Sequence, residues 1–279
     1  MTSRPSSIGR SKGAGLRVDY HLHTLYSYDS VMPLETILER AMATGLGRLC
    51  VTDHDTIEGA LALKRISPPE VEIVVGCEFS AEDGSQLLGL GLTDMIEERR
   101  LPHLLVAIRE QGGQVLLPHP FRRGSGVFRA EMQRTAGFVD EILSHTDLVE
   151  CFNGRDGYEK NQLSYRFAAE RGLAAVAASD AHTPAEIGSV FVDYDRLDVV
   201  DGVSPRRIYF PDQRPRTERS LKRRAMEFYH RNERRLPAVV GTSYRSARRR
   251  LGRDAGPRTK GPPRMQYEIE RALPLSGRS

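Results

Sequence analysis

Residues 16–30 read LRVDYHLHTLYSYDS, and the interpretation of the whole chain starts from this stretch. Its beginning has the short, largely apolar pattern of a buried strand, and this strand ends in His21 and His23. Side chains two positions apart on a strand point to the same face, so both imidazoles face one side. Asp29 follows after a short loop. This arrangement suits a metal site and a hydrogen-bonded core pair equally well, so the other strands must decide between them.

The first 200 residues alternate short apolar runs with amphipathic stretches, a pattern typical of repeated strand–helix units. We predict strands at Leu16–Leu22, Arg48–Thr52, Val71–Glu78, Gln86–Leu92, Gln114–Pro118, Asp147–Phe152 and Ala174–Ser179. We predict helices at Pro33–Thr44, Ile57–Arg65, Pro102–Gln111, Ala130–Ser144 and Glu159–Arg171. This order predicts an α/β fold, either a barrel or a strongly curved parallel sheet.

Ligand-type residues recur where the predicted strands end. The motifs are VTDHDT with His54, VGCEFS with Glu78, LLPHPF with His119, ECFNGR with Glu150, and ASDAH with Asp180 and His182. A barrel brings the carboxyl ends of its strands together, so these groups must share one pocket. Packed together without a partner, they would repel or desolvate one another.

Metal ions are the simplest compensation for such a cluster. Imidazole and carboxylate ligands without a thiolate favour Zn²⁺, Mn²⁺ or Fe, and a carboxylate such as Glu78 can bridge two ions. Such ions lower the pKa of a bound water and neutralise a phosphate under attack. The sequence contains neither a GxxxxGK loop nor a GxSxG elbow, so it gives no support to ATP-dependent phosphoryl transfer or serine hydrolase chemistry.

The ordered motifs HLH, SYDS, TDHDT, GCEFS, HPF, ECFNGR and SDAHT resemble those of the polymerase and histidinol phosphatase (PHP) family, over residues 18–194. The resemblance is greatest to small stand-alone metal-dependent phosphoesterases of that family. It implies a distorted (β/α)7 barrel with two or three metal ions at the strand ends.

The resemblance also implies ligand sets. His21, His23, Glu78 and Asp180 would hold one ion, and Asp29, His54 and His182 a second. Glu78 and His119 would share a third ion with one further ligand, for which relatives commonly supply a histidine before Leu-Leu-Gly. This chain has Gln86 there, a weak neutral ligand, which leaves the third position looser or vacant. His103 is a conceivable substitute, although it falls on a predicted helix.

Two further residues are assigned to the catalytic site. Arg155 could grip a phosphate, because a guanidinium matches phosphate oxygens in a bidentate way. Arg122 and Arg123 are alternatives for that role, although a surface salt bridge explains them as well. Asp53 is expected to orient His54 and its loop and not to bind metal directly.

The balance of basic and acidic residues differs between the predicted barrel and the residues that follow it. Residues 1–200 hold 20 Lys and Arg against 29 Asp and Glu, whereas residues 201–279 hold 21 against 8. We therefore predict a disordered arm over 1–15, a barrel domain over 16–200, and a basic extension over 201–279. The extension is expected to be partly helical or disordered, with a candidate helix over 217–236.

Apolar segments and cysteines indicate the cellular compartment of the protein. No apolar run approaches the roughly 18 residues that cross a membrane, and the first 15 residues lack the apolar segment of a signal peptide. The three cysteines are far apart in apolar runs, which favours buried reduced thiols. We predict a cytoplasmic protein.

Three functions remain open from the sequence. The first is a phosphatase or phosphoesterase that acts on a small phosphorylated metabolite or nucleotide by metal-bound hydroxide. The second is a nuclease or oligonucleotide phosphatase whose basic tail, including RSARRRLGR at 245–253, holds nucleic acid. The third is a non-catalytic scaffold with an impaired metal site.

Overall fold

The computed structural model describes residues 15–130, 132–194, 207–210 and 265–268. The helices are α1 (Leu34–Thr44), α2 (Glu58–Ile66), α3 (Leu101–Glu110), α4 (Ala136–His145) and α5 (Tyr158–Arg171). The first five strands are β1 (Leu16–Leu22), β2 (Arg48–Val51), β3 (Glu72–Ser80), β4 (Gln86–Leu90) and β5 (Gln114–Leu117). They are followed by β6 (Leu148–Asn153), β7 (Ala174–Ala178), β8 (Phe191–Tyr194), β9 (Arg207–Phe210) and β10 (Met265–Glu268). All seven predicted strands and all five predicted helices of the barrel domain are present.

One sheet joins the ten strands of the described residues in the order β10-β9-β8-β1-β2-β3-β4-β5-β6-β7. Its eight strands from β8 to β7 form a nearly closed barrel. β8 pairs with the beginning of β1, and Ala181, just beyond β7, bridges Leu22 at the end of β1. The amide of Asp180 donates to the carbonyl of His21 at 2.8 Å across the same seam. The predicted α/β barrel is therefore confirmed.

The barrel differs from a parallel sheet at two strands. β4 is antiparallel to both β3 and β5, and β8 is antiparallel to β1. Only residues 81–85 connect β3 to β4, whereas a parallel crossover needs about a dozen residues or more. Because β4 runs in reverse, its first residue, Gln86, lies at the barrel end where the parallel strands finish.

The flanks of the domain differ partly from the prediction. The sequence did not predict β8, β9 and β10; β9 pairs antiparallel with β8, and β10 with β9. Residues 1–14 and the candidate helix over 217–236 lie outside the described residues. Helix α4 begins at Ala136 and not at Ala130, because the Thr135 side chain caps it by accepting a hydrogen bond from the Phe138 amide.

The core fills the barrel and the layer between strands and helices. Cys50, Cys77 and Cys151 are buried free thiols within it, as the sequence predicts. In the part of the chain that the structure describes, no helix combines the length and the apolar character needed to cross a bilayer.

Helix α2 approaches the loop after β1 closely at Gly59. A β-carbon at this position would collide with Oδ2 of Asp53 and Oγ1 of Thr24. These two atoms are hydrogen-bonded to each other at 2.8 Å, and both residues are fully buried. Only glycine allows the helix to pack against this hydrogen bond.

We expect Gly59→Ala to destabilise the protein by about 2 kcal/mol, because the buried Asp53–Thr24 hydrogen bond must break or the helix must shift. Gly137→Ala is the matched control, since no atom lies within 4 Å of its added β-carbon in α4. The control should be neutral or stabilising by up to about 1 kcal/mol. Urea unfolding of both variants measures the difference, and equal stabilities would contradict the close packing.

Candidate metal centre

All eight predicted metal ligands are buried and lie at one end of the barrel. They are His21, His23, Asp29, His54, Glu78, His119, Asp180 and His182. Strand pairing holds them in register, because His54 pairs with Glu78 beyond β2. The structure thus places side chains from the carboxyl ends of five strands, β1, β2, β3, β5 and β7, in one cluster.

The first group within the cluster surrounds Glu78. Its Oε2 lies 3.4 Å from Nε2 of His21 and 3.4 Å from Nε2 of His23, and those two nitrogens are 3.0 Å apart. Oδ1 of Asp180 is 3.8 Å and 3.6 Å from the same two nitrogens. His21, His23 and Glu78 therefore offer three ligand atoms within 4.8 Å of one another, and Asp180 faces the two imidazoles from a further side.

A second group of ligands lies around Asp29. Its Oδ2 is 2.8 Å from Nε2 of His182 and 3.3 Å from Nε2 of His54. His23, Asp29, His54 and His182 each offer one ligand atom, and these four atoms lie within 4.8 Å of one another. His23 stands between the two groups and is able to serve either.

Among the described residues, the third predicted position contains His119 and Glu78 but no further imidazole or carboxylate of its own. Nε2 of His119 lies 3.1 Å from Oε1 of Glu78, and His119 also groups with His21 and Asp180 within 4.8 Å. The side-chain amide of Gln86 lies 3.5 Å from Nδ1 of His54, so it borders the cluster. His103 is exposed on α3, which removes it as a substitute.

The charges of the cluster are strongly coupled. Burial opposes a charge on Glu78, yet the positive charges of His21 and His54 hold the pKa of its carboxyl well below the ordinary value. Burial also opposes a charge on His54, but the Glu78 carboxylate raises the pKa of its imidazole to about 9. Burial lowers the pKa of His23 to about 3, and the charge of His182 adds to this effect. Because coordination needs neutral imidazoles, loading of the centre with a cation must release protons.

The residues fit a metal ion in their chemistry and in their unsatisfied atoms. Among the described residues, Oδ1 of Asp29 and Nδ1 of His119 are buried without a hydrogen-bond partner. Buried polar atoms are normally paired, and a cation beside Asp29 would satisfy its free oxygen. Imidazoles and carboxylates without a thiolate form the donor set of Zn²⁺, Mn²⁺ or Fe sites.

Two of the ligands have unfavourable backbone conformations. His119 has φ of 28° and Asp180 has φ of 51°, a region that residues with side chains rarely adopt. Such strain persists only where the surrounding contacts impose it, and it concentrates at functional sites. The backbone amides of both residues are held by hydrogen bonds, from His119 to Glu150 and from Asp180 to His21.

The three arginine candidates lie in different environments. Arg122 donates to Asp156, Asp180 and Asn153 at 2.8–2.9 Å, so its guanidinium is fully engaged and supports Asp180. Arg123 also has an interaction partner within the protein. Arg155 is half-buried, and its Nη1 donates to the carbonyl of Asp180 at a long 3.4 Å. Arg155 is thus the arginine of the three placed to meet a ligand of the cluster.

Asp53 acts on the loop that carries Asp29. Its Oδ1 accepts from the Thr24 amide at 2.6 Å and its Oδ2 from the Thr24 hydroxyl at 2.8 Å. Burial raises the pKa of its carboxyl, against the effect of the Thr24 hydrogen bonds. Its hydrogen bonds fix the chain between His23 and Asp29, so Asp53 organises the loop and is not itself grouped with the ligands.

Glu150 is a residue of the site that sequence reasoning left without a role. It is 1% exposed; its Oε1 accepts from Nδ1 of His21 at 3.2 Å, and its Oε2 accepts from the His119 amide at 2.6 Å. A proton on Nδ1 of His21 leaves Nε2 unprotonated and directed at the cluster. The available signal was a carboxylate in the apolar run LVECF.

We expect Glu150→Gln to weaken metal binding about 10- to 100-fold, because an amide cannot fix the His21 tautomer as a carboxylate does. The measurement is a chelator-competition titration with Mn²⁺ and Zn²⁺, accompanied by thermal unfolding to show that the variant is folded. Glu159→Gln, which changes an exposed acid on α5, is the control. Unchanged metal affinity in a folded Glu150→Gln protein would exclude this role.

The chain matches known proteins over most of the barrel domain. The family model described as PHP domain matches residues 19–150, and the PHP-associated model matches residues 158–203. The protein MJ1587 of Methanocaldococcus jannaschii is 33% identical over 161 residues, which cover 52% of this chain and 88% of that protein.

Two solved structures share the fold. One is a two-domain Bacteroides vulgatus protein that contains a predicted PHP-like metal-dependent phosphoesterase, with a TM-score of 0.55 and 15% identity. The match covers 71% of this chain and 65% of that one. The other is Endonuclease Q in complex with a 27-mer duplex bearing an abasic lesion, with a TM-score of 0.53, 17% identity, and coverage of 67% and 54%. With this fold, this cluster and these matches, the chain belongs to the PHP-domain family.

Proposed function

We propose that the protein hydrolyses a phosphomonoester, either of a small metabolite or of a nucleotide. The observation that carries the proposal is the convergence of five imidazoles and three carboxylates at one barrel end, with Arg155 beside Asp180. When bound there, divalent ions lower the pKa of a water and neutralise the phosphate under attack.

Asp180 and Arg155 have different roles in the proposed reaction. Asp180 presents Oδ1 to the imidazoles, while its Oδ2 is held by Arg122 at 2.9 Å and Asn153 at 3.1 Å. This fixed orientation gives Asp180 one oxygen for a metal ion. Among the described residues, the Arg155 guanidinium has a single long hydrogen bond, so its other donors are available to bind phosphate oxygens.

The proposed ligand sets would hold two ions. His21, His23, Glu78 and Asp180 would bind the first ion, and Asp29, His54 and His182 the second, with Zn²⁺, Mn²⁺ or Fe as the metal. The position of Glu78 and His119 would bind a third ion weakly, because Gln86 offers only an amide near it.

A cytoplasmic location stays a prediction of the sequence.

We expect the purified protein to contain divalent metal and to release phosphate from phosphomonoesters, and His21→Ala to reduce turnover to the buffer rate. The His21 ring is central to the proposed first ion site, so its loss removes a ligand and leaves Oε1 of Glu150 without its His21 partner. The measurement combines elemental analysis with a phosphate-release screen, with Mn²⁺, Zn²⁺ and Fe²⁺ tested separately. His103→Ala, an exposed histidine on α3, is the control and should keep full activity.

The opposite outcome would favour the non-catalytic alternative. In that case the wild type binds metal but hydrolyses nothing in the screen, and Gln86→His creates activity by supplying an imidazole near Glu78 and His119. Absence of both metal and turnover would refute the proposed function.

A second candidate is cleavage of nucleic acid, which the charge of the extension favours. Residues 201–279 carry 21 Lys and Arg against 8 Asp and Glu, and five arginines lie within 245–253. Endonuclease Q, which shares the fold, is bound to a DNA duplex in its structure. The extension would bind phosphates of a strand whose end reaches the metal centre.

We expect the wild type to bind single-stranded DNA with an affinity that falls as salt rises, with a slope of about 0.7 per phosphate contacted. Changing the five arginines of 245–253 to glutamine should lower both the affinity and the slope, whereas Lys64→Gln with Arg65→Gln on α2 should change neither. Fluorescence anisotropy over a salt series measures this. Identical slopes for the two variants would remove the nuclease candidate.

A further inference from the structure

The loop after β1 places exposed apolar side chains beside the metal centre. Leu25 is 36% exposed, Tyr26 45% and Tyr28 39%. We call these three residues the aromatic lip. Among the described residues, the other large exposed apolar side chains lie on helices: Met42, Ile66, Val106, Tyr158 and Leu163. The lip is therefore a local concentration of apolar surface.

Tyr28 extends the ring stack of the metal cluster outwards. Its ring is nearly parallel to that of His54, with 4.6 Å between centroids and 16° between planes. The His54 ring in turn lies 4.7 Å from that of His23. A group bound at the metal cluster is consequently next to a tyrosine ring that is partly open to solvent.

The lip is held in place by its backbone and by the ligands. The Leu25 amide donates to the Met32 carbonyl at 2.9 Å, and the Tyr26 amide donates to Oγ1 of Thr24 at 3.1 Å. Between the two tyrosines, Oγ of Ser27 contacts Nδ1 of His23 and accepts from the His54 amide, both at 2.9 Å. The exposure of the tyrosines is thus imposed by a fixed loop that also orients two metal ligands.

The lip by itself is too small to form a stable interface with another protein. A stable protein interface buries about 800 Å² on each partner, far more than three partly exposed side chains provide. A flat ring matches the lip better, because an aromatic face stacks on a base with about 1–3 kcal/mol per base. The site's own substrate is the molecule that must approach this point.

We infer that the aromatic lip binds the leaving group of the substrate, and that this group carries a flat nucleobase-like ring. The inference rests on the proposed phosphoesterase function and selects nucleoside phosphates within it. The phosphate would lie at the metal cluster with Arg155, and the base would stack on Tyr26 and Tyr28 at the rim.

The test compares AMP with ribose 5-phosphate, which has the same phosphoester and sugar but no base. We expect kcat/KM of the wild type to favour AMP by about tenfold or more. Tyr26→Ala and Tyr28→Leu should each reduce this ratio, mainly through KM for AMP, whereas Tyr28→Phe keeps the ring and the ratio. Met42→Ala removes an equally exposed apolar side chain from α1 and should keep the ratio.

A binding experiment separates this inference from the proposed function. If the phosphate-release screen detects no hydrolysis, calorimetric titration of AMP and of ribose 5-phosphate into the wild type and Tyr26→Ala still measures affinity. If no phosphoester is hydrolysed but AMP binds about tenfold more tightly than ribose 5-phosphate, and Tyr26→Ala removes the difference, the lip is supported while the function fails. Equal values of kcat/KM and Kd for the two compounds in the wild type, or an unchanged ratio in both tyrosine variants, would overturn the inference.

Discussion

The seam where the barrel closes is the constraint on which the site depends. At this seam the Asp180 amide donates to the His21 carbonyl at 2.8 Å, and the His23 amide donates to the Ala181 carbonyl at 3.0 Å. Asp19, fully buried beneath His21, accepts from the Ser179 amide at 2.9 Å. These bonds join residues about 160 positions apart in the chain. Without them the ligands of the first and last motifs would lie at opposite edges of an open sheet.

The energetic cost of the site is balanced within the cluster and by the residues around it. Five imidazoles and three carboxylates are buried side by side, and the burial of each charged group alone would be unfavourable. Glu78 and Asp29 stay ionised because imidazoles compensate their charge, and burial works against both. Glu150 and Arg122 extend the compensation outwards, one to His21 and the other to Asp180. Thus the residues around the cluster fix the orientation of the ligands and also offset the cost of burying them.

Much of the barrel and of the cluster follows from the sequence, for a physical reason. Apart from Asp29, each ligand stands at or just after the end of an apolar run, so a prediction of strand ends is also a prediction of most of the site. β1 was predicted to the residue, and the eight ligands lie together at one barrel end. The direction of β4 was missed, because apolar periodicity is the same in parallel and antiparallel strands. The short connection over 81–85 contained that information.

The other omissions concern contacts that no local pattern encodes. Glu150 contacts His21, which lies 129 positions earlier in the chain. The residues next to Glu150 in sequence indicate only a buried strand. Arg122 resembled a phosphate ligand in sequence, but three acceptors from two other segments engage it fully. β8 has only four residues and pairs with the beginning of β1. A residue defined by distant partners becomes visible only when the chain is folded.

The position of the seam also orders events during synthesis of the protein. A ribosome makes His21, His23, Asp29, His54, Glu78 and His119 long before Asp180 and His182, the pair that β7 delivers. Until those last residues emerge, the early ligands have no closed pocket, and their imidazoles remain open to any cation. Metal loading of the complete centre is therefore a late step, which coincides with closure of the barrel.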